Sequence, residues 1–430
     1  MNPGAFYEKR IYITCQKQPA ALESALDPKK ALTMKTIFEK INTAGQNKAL
    51  LLSLNYYLLF IYLGLSMGAI GPTIPSLASQ TGVSIGTMGL MLLIGSLGYV
   101  IGTSLSGRIF DRFPAHPILG ACLLVCAGLT ALIPLVSIFW MLIALYFIRG
   151  VFDSLVGASP NTLLVWVHKA KAAPYINALH FFFGFGAFIS PFIFGLLTGW
   201  DNGYRWIFWI LAIYAALVGL RLLTLPNSPQ PAHEKSETTQ TAKAKIPYPL
   251  VFAAAFFLFF YVGAELSFGN WIYTYTITLN LTNAAGAAFL NSGFWFSFTL
   301  GRLISIPLAI RFKPAQIVAI GLTGALLFAL IPFIFPHSLI ALWVVAIGIG
   351  LFMAPIWPGG FNLAGQSLTL TATISSIILL GDSFGGMILP SATGKIIEWA
   401  GAPAMIYIVF ASLVLNLAAF LLMLKLRNRK

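Results

Sequence analysis

Twelve long apolar segments are the feature that most constrains the fold of this 430-residue chain. A helix needs about 20 apolar residues to cross the roughly 30 Å hydrocarbon core of a bilayer. In lipid, the helix also satisfies the hydrogen bonds of its own backbone. The segments lie at residues 50–76, 84–106, 117–136, 138–167, 174–199, 204–224, 248–276, 284–310, 316–335, 338–363, 369–396 and 403–424. We therefore predict an all-α membrane protein with twelve transmembrane helices.

The composition indicates that lipid covers most of the exterior. Charged residues make up 9% of the chain and hydrophobic residues 58%, whereas a soluble domain carries about 25% charged residues. The net charge of +14 could suit nucleic acid, but the basic residues fall in the tails and in alternate loops. We therefore expect membrane lipid around the protein and no nucleic-acid partner.

The distribution of basic residues predicts the orientation of the chain. Most of the 26 Lys and Arg residues fall on one side of the membrane if the N-terminus is cytoplasmic. Cytoplasmic loops are enriched in these residues. The only Lys or Arg residues within two residues of the predicted outside loops are Arg205 and Lys395. We place both termini in the cytoplasm and expect an integral multi-pass protein of the cell (inner) membrane.

An internal repeat divides the spans into two sets of six. One constant offset places Gly102 on Gly301 in the second and eighth spans, and Gly186 on Gly385 in the fifth and eleventh. Such repeats indicate two pseudo-symmetric six-helix halves around a central cavity. The predicted regions are a cytoplasmic tail 1–48, a first half 49–225, a Pro- and Ser-rich cytoplasmic linker 226–247, a second half 248–424 and a cytoplasmic tail 425–430.

The loop after the second span carries a motif. Gly107, Asp111 and Arg112 match the pattern Gly-x-x-x-Asp-Arg-x-Gly-Arg-Arg of the major facilitator superfamily, which this stretch resembles. The final Gly and basic pair are absent, because Pro-Ala-His follows Phe113. The resemblance covers almost all of residues 50–425. It implies the major facilitator fold, transport by alternating access, and a motif that latches one conformation.

The fifth span narrows the resemblance. Asn177 and His180 begin a stretch similar to the Asn-x-x-His-x-x-x-Gly-x-Gly-Ala pattern of the fucose-permease-like branch. This resemblance implies sugar:proton symport. Stretches around Glu265, Arg302 and Asp382 are similar to that branch as well.

The fourth span departs from the branch. Its members carry an acid four residues before an Asn on this span. If Asn161 is that Asn, the matching position here is Gly157, and Asp153 lies one turn earlier. The departure puts the proton-coupling residue and the sugar preference of the branch in doubt for this chain.

Five charged side chains fall inside the predicted spans at more than three residues from a span end. An ionisable group at mid-bilayer costs roughly 2.5–3.5 kcal/mol, so it normally faces a cavity or a partner. Two cations cannot pair three acids, and burial disfavours the charged form of a surplus carboxylate. We predict coupling to a proton, with sodium as the alternative ion. The coupling candidates are Asp153, Glu265 and Asp382, with Arg149 and Arg302 as charge partners.

Structural interpretations of these charges stay open. Arg149 and Asp153 are four residues apart, so they share a helix face and can pair. Arg302 can extend towards the cytoplasmic side, and Asp382 can cap local backbone. Glu265 lies deep in the seventh span, which favours a functional role.

Amides and aromatic rings suit a sugar, because they meet its hydroxyl edges and its C–H faces. Trp271 and Tyr275 equally fit an interfacial aromatic belt, and Gly359–Gly360 is expected to break the tenth span. The cavity candidates are Asn161, His180, Asn270, Trp271, Tyr275, Asn291, Trp357 and Asn362.

These features predict a monomeric secondary active transporter of a small polar solute, with a sugar as the leading candidate. An exporter of drugs, siderophores or lipids is the alternative within transport. A non-transporting scaffold or receptor is the alternative from another class, although buried charges have no purpose there. No Ser/His/Asp set, metal-ligand spacing or phosphate loop is evident, so we expect no enzyme activity, cofactor or metal.

Overall fold

The computed structural model describes residues 28–226, 247–368 and 372–427. Side chains are described from Lys48 onward, except at four positions: Ala170, Ser367, Ala372 and Thr373. The chain divides into two units, Met1–Leu54 and Asn55–Lys430. Residues 1–27 of the predicted N-terminal tail, 227–246 of the predicted linker and 428–430 of the C-terminal tail lie outside the described residues.

Within the described ranges the chain is helical and contains no strand. Two short 3₁₀ helices, Ile133–Leu135 and Lys169–Lys171, follow α3 and α4. The α-helices are α1 Pro28–Thr81, α2 Gly89–Arg112, α3 Ala115–Leu132, α4 Phe139–His168, α5 Ala172–Leu197, α6 Gly203–Leu223, α7 Tyr248–Thr278, α8 Ala284–Arg311, α9 Pro314–Ile334, α10 Leu339–Met353, α11 Ile356–Ser367, α12 Ala372–Ala400 and α13 Ala404–Arg427.

Twelve stretches of these helices are long and apolar enough to cross a membrane, which confirms the predicted number of spans in the described part of the chain. The first is Lys48–Thr81 within α1, and the tenth, Leu339–Gln366, combines α10 and α11. An all-helical architecture follows from the apolar sequence, because a helix leaves no backbone donor exposed to lipid.

The break in the tenth span lies at Ala354 and Pro355, between α10 and α11. The prediction that Gly359–Gly360 would break this span was therefore wrong. Proline lacks the N–H that a continuous helix needs and restricts the residue before it. Gly360 instead lies inside α11, where a Cβ would overlap the ring of Phe257.

The helices of Asn55–Lys430 pack in two related patterns. In the first six spans α2 packs on α4 and α3 on α6, and in the last six α8 packs on α10 and α7 on α12 and α13. Contacts between the two sets join α2 to α12 and α5 to α8. These four helices are the ones that the sequence repeat aligns.

Equivalent glycines of the repeat lie at equivalent crossings. A Cβ on Gly102 would overlap the carbonyl of Val151 in α4, and a Cβ on Gly301 would crowd that of Leu351 in α10. Gly186 approaches α1, and Gly385 approaches α7, in the same way. Because side chains are excluded at these points, the backbones cross in close contact in both sets of six.

One end of the α2–α12 pair is closed. A Cβ on Gly86, just before α2, would overlap Glu398 in α12, and Gly89 faces the carbonyl of Ser391. Towards the other end of α2, Thr103 and Ser104 are exposed. The two sets of six spans therefore meet tightly at the Glu398 end of this pair.

Candidate functional site

A cavity of about 330 Å³ lies among α1, α2, α4, α5, α7 and α12. Cavities that hold small molecules measure about 300–1,000 Å³ and combine apolar walls with a few polar groups. Helices of both sets line this one, so a solute inside would contact both. The polar or charged lining residues are Ser66, Ser96, Tyr99, Tyr146, Arg149, Asp153, Asn270, Asp382 and Ser383.

Asp153 on α4 is held by three neighbours. Its Oδ2 lies 3.2 Å from Nε of Arg149, one helical turn earlier. Its Oδ1 accepts a hydrogen bond of 2.9 Å from the Tyr62 hydroxyl and a weaker contact of 3.4 Å from Sγ of Cys126. The Arg149 guanidinium also lies 5.7 Å from the centre of the Tyr146 ring. Both oxygens of this carboxylate are therefore engaged.

Asp382 on α12 has fewer partners. Its Oδ1 accepts a hydrogen bond of 2.7 Å from the indole Nε1 of Trp357. Within the described part of the chain, its Oδ2 accepts no hydrogen bond. Arg302 is a charged neighbour of this carboxylate. Asp382 therefore presents a free carboxylate oxygen at a cavity that both sets of six spans line.

The interruption of the tenth span brings Trp357 to Asp382. Trp357 follows Pro355 in the first turn of α11. Its ring stacks on Phe361 with ring centres 5.5 Å apart. This stacking fixes the indole, so its N–H points at α12. Trp357 therefore orients an acid of the cavity and is not itself part of the cavity lining.

Glu265 is buried on α7 and lies behind the cavity lining. It is 7% exposed, and it interacts with Arg302, Tyr261 and Asp382. The Arg302 guanidinium lies 4.9 Å from the centre of the Phe298 ring. Arg302 is therefore within electrostatic reach of two acids of the last six spans, Glu265 and Asp382, and of His180 on α5.

Of the eight predicted cavity residues, Asn270 lines this cavity. Trp271 donates to the carbonyl of Pro390 at 2.8 Å, and Asn291 donates to that of Gly269 at 2.6 Å. Tyr275 lies 3.5 Å from the carbonyl of Pro336. The side chains of Trp271, Asn291 and Tyr275 are buried and satisfy backbone carbonyls, so they stabilise helix packing and do not face this cavity.

Three other predicted cavity residues are also absent from its lining. Asn161 is half-buried and Asn362 is exposed. His180 packs edge-on against Phe60, with ring centres 5.8 Å apart.

Sequence reasoning missed several polar residues of the cavity. The lining includes Ser66, Ser96, Tyr99 and Ser383. Tyr62 is outside the lining and donates a hydrogen bond to Asp153. Ser383 follows Asp382 directly, which was a usable signal. Hydroxyl groups in apolar helices are otherwise common, and they usually bond to the backbone of their own helix, so they did not stand out.

The motif residues Gly107, Asp111 and Arg112 are exposed at the end of α2. A Cβ on Gly107 would meet open space. Within the described part of the chain Asp111 makes no ion pair. Their predicted role as a conformational latch stays a prediction, because in this conformation the contact between α2 and α12 lies at the opposite end.

Metal binding has no support from the described side chains. Among them, no group of three or more His, Cys, Asp or Glu residues is arranged to hold a metal ion.

Known proteins share this chain's sequence pattern. A family model described as Major Facilitator Superfamily matches residues 56–380. The sodium-dependent glucose transporter 1A of Mus musculus is 26% identical over 405 residues, covering 86% of this chain and 95% of that protein. The Homo sapiens major facilitator superfamily domain-containing protein 4A is 24% identical over 447 residues, covering 81% and 87%.

Solved structures share the fold. A nucleoside transporter aligns with a TM-score of 0.71 at 16% identity, covering 87% of this chain and 99% of that one. A D-xylose-proton symporter aligns with a TM-score of 0.69 at 13% identity, covering 87% and 96%. These likenesses agree with the twelve spans, and the family match extends over well more than half of the sequence. The chain therefore belongs to the Major Facilitator Superfamily.

Proposed function

We propose that this protein is a secondary active transporter that carries a monosaccharide across the membrane by alternating access, coupled to a cation. The observation that carries the proposal is the cavity between the two sets of six spans, in which Asp382 presents a free carboxylate oxygen beside several hydroxyl and amide groups. The relatives described as sodium-dependent glucose transporters support a hexose as the solute.

A proton is our proposed coupling ion, and Asp382 is its proposed acceptor. Asp153 already has an ion pair and a tyrosine donor, and Glu265 lies outside the lining. A proton needs one carboxylate, whereas a hard metal cation needs several oxygen ligands around it. Sodium is the alternative ion, and the names of the relatives favour it.

The distribution of basic residues along the sequence supports a proposed orientation of the chain in the membrane. We propose that both termini and the linker 226–247 face the cytoplasm, and that the halves 49–225 and 248–424 rock against each other in a monomer in the cell membrane. With that orientation, the closed Glu398 end of the α2–α12 pair faces outside. Gly107, Asp111 and Arg112 would then make their contacts when the opposite end closes.

The test is uptake into proteoliposomes that contain the purified protein. Labelled glucose should accumulate under an imposed pH gradient, and Asp382→Asn should abolish accumulation while exchange of internal for external glucose continues. A sodium gradient in place of the pH gradient identifies the ion. Asp201→Asn, in an exposed loop, is the matched control and should transport normally. Undiminished accumulation by Asp382→Asn would refute the coupling role.

An exporter of amphipathic compounds is the second candidate. Much of the cavity lining is apolar, including Leu63, Met67, Ile70, Phe183 and Leu266. A ligand raises the melting temperature in proportion to the logarithm of its concentration over its dissociation constant. Stabilisation by apolar cations, with none by monosaccharides, would replace the sugar proposal with this one.

A further inference from the structure

Tyr99 is a cavity residue whose backbone is fixed by helix packing. It lies on α2 between Gly98 and Gly102, at which a Cβ would overlap the carbonyls of Phe147 and Val151 in α4. Such close crossings leave the two backbones little freedom to shift. The side chain of Tyr99 therefore enters the cavity from a defined position on its wall.

The hydroxyl of Tyr99 lies over Gly157. A Cβ on Gly157 would be 2.9 Å from this oxygen, closer than side-chain carbons normally approach. The absence of a side chain on α4 at this position is therefore what makes room for the phenol. Asp153 and Asp382 line the same cavity as Tyr99, and both are within electrostatic reach of it.

This hydroxyl has no hydrogen-bond partner within the described part of the chain. Tyr62 differs, since it donates to Asp153 at 2.9 Å. A donor in a cavity with a partly apolar wall loses hydrogen bonds to water when a solute fills the space, so it needs a partner on that solute. The position of Tyr99 therefore suits a residue that recognises a bound solute through a hydrogen bond.

We propose that Tyr99 is a specificity-determining residue, whose hydroxyl, held over Gly157, donates a hydrogen bond to one hydroxyl of the bound monosaccharide. This inference rests on the proposed function. A site that hydrogen-bonds a substrate hydroxyl discriminates against the analogue that lacks it, because the protein group is then left unpaired. Tyr99 therefore selects one position of the sugar ring.

The experiment measures binding of glucose and of its monodeoxy analogues to the purified protein by thermal stabilisation. Wild type should bind one deoxy analogue roughly three- to tenfold more weakly than glucose for each hydrogen bond lost. Tyr99→Phe should bind that analogue and glucose equally, and should keep the wild-type preferences at the other ring positions. Loss at one ring position only is a result that a general packing defect does not produce.

Two further variants sharpen the test. Gly157→Ala, which displaces the phenol oxygen, should reproduce the loss of selectivity at the same ring position. Tyr248→Phe is the matched control, because Tyr248 is exposed at the start of α7 and does not line the cavity, and it should keep wild-type selectivity. Melting temperatures measured without sugar show whether each variant is folded. Helix propensity alone should not lower that of Gly157→Ala, because Ala is a better helix former than Gly by about 1 kcal/mol.

Each outcome decides the proposal. If wild type binds sugars and Tyr99→Phe keeps every preference, the assignment of Tyr99 is overturned while the proposed function stands. If wild type binds no monosaccharide, the proposed function fails, and the assignment fails with it. Loss of discrimination at one position in Tyr99→Phe and Gly157→Ala, and not in Tyr248→Phe, establishes it.

Discussion

Asp153 and Asp382 line the same cavity, but they differ in how many of their carboxylate oxygens have a partner. Asp153 is paired with Arg149 at 3.2 Å and accepts from Tyr62. Asp382 accepts from Trp357 and keeps one oxygen free of hydrogen bonds from the described residues. The first carboxylate is thus engaged at both oxygens, whereas the second is the proposed site of cation binding.

Removing the charge of Asp153 should destabilise the protein. Asp153→Asn leaves Arg149 as a buried cation without a counter-charge, which costs about 3–5 kcal/mol. Denaturant unfolding in detergent should show this loss in the free energy of unfolding. The double variant Arg149→Met with Asp153→Leu removes both charges and should be more stable than Asp153→Asn. Equal stability of Asp153→Asn and wild type would contradict the pairing.

At the level of single residues, the sequence predicted the charges better than the cavity lining. Burying a charge is costly enough to be visible in a sequence, and Arg149, Asp153 and Asp382 all line the cavity. Neutral polar groups are ambiguous, because a buried amide or indole is satisfied equally well by a backbone carbonyl. Trp271 and Asn291 use that solution, and the sequence alone could not distinguish it from contact with a solute.

At the level of helices, proline is an unreliable sequence signal for the end of a membrane span. The first span was expected to end at residue 76, but α1 continues to Thr81 and contains Pro72 and Pro75. Transmembrane helices tolerate proline, since neighbouring helices and nearby hydroxyls satisfy the freed backbone groups. In the tenth span, Pro355 does interrupt the helix.

The crossing of α2 and α4 should be sensitive to one methyl group. Gly102→Ala places a Cβ against the carbonyl of Val151 and the hydroxyl of Ser154, and such overpacking typically costs about 1–3 kcal/mol. Gly128→Ala is the control, because a Cβ there meets open space. Thermal unfolding in detergent should show a lower melting temperature for Gly102→Ala alone. The same melting temperature for both variants would disprove a close crossing.

The closed end of the α2–α12 pair should respond to a larger side chain. Gly86→Leu would overlap Glu398 and should shift the population away from this conformation. A cysteine in place of Ser96, in the cavity, should then react faster with an impermeant thiol reagent added on the Glu398 side.

Gly199→Leu is the control for this experiment. It lies in the turn after α5, where a Cβ meets nothing within 4 Å, and it should leave the rate of labelling unchanged. Unchanged labelling in Gly86→Leu would show that the contact does not hold this end closed.

At the scale of the whole molecule, the repeat was the most informative pattern. The offset aligned the second span with the eighth and the fifth with the eleventh, and these are the helices that join the two sets of six. Gly102 and Gly301 lie at equivalent crossings, which a chance match would not produce. The sequence could not show which ends of these helices meet, because glycines that permit close contact, such as Gly89 and Gly107, lie near both ends of α2.

Two separately expressed pieces should reassemble. A cut between Pro226 and Pro247 separates the proposed halves, and the contacts of α2 with α12 and of α5 with α8 do not depend on that segment. Pieces 1–236 and 237–430, expressed together, should copurify and transport, whereas neither should transport alone. Failure to copurify would mean that the linker is required for assembly.

The charge count of the spans has an electrical consequence. Arg149, Asp153, Glu265, Arg302 and Asp382 together carry one net negative charge when all are ionised, and a bound cation cancels it. A membrane potential changes the energy of a charge that crosses it by about 2.3 kcal/mol per 100 mV. It would act on the return of the empty carrier and leave the loaded, neutral carrier unaffected. Hyperpolarisation should therefore raise the maximal rate of sugar uptake.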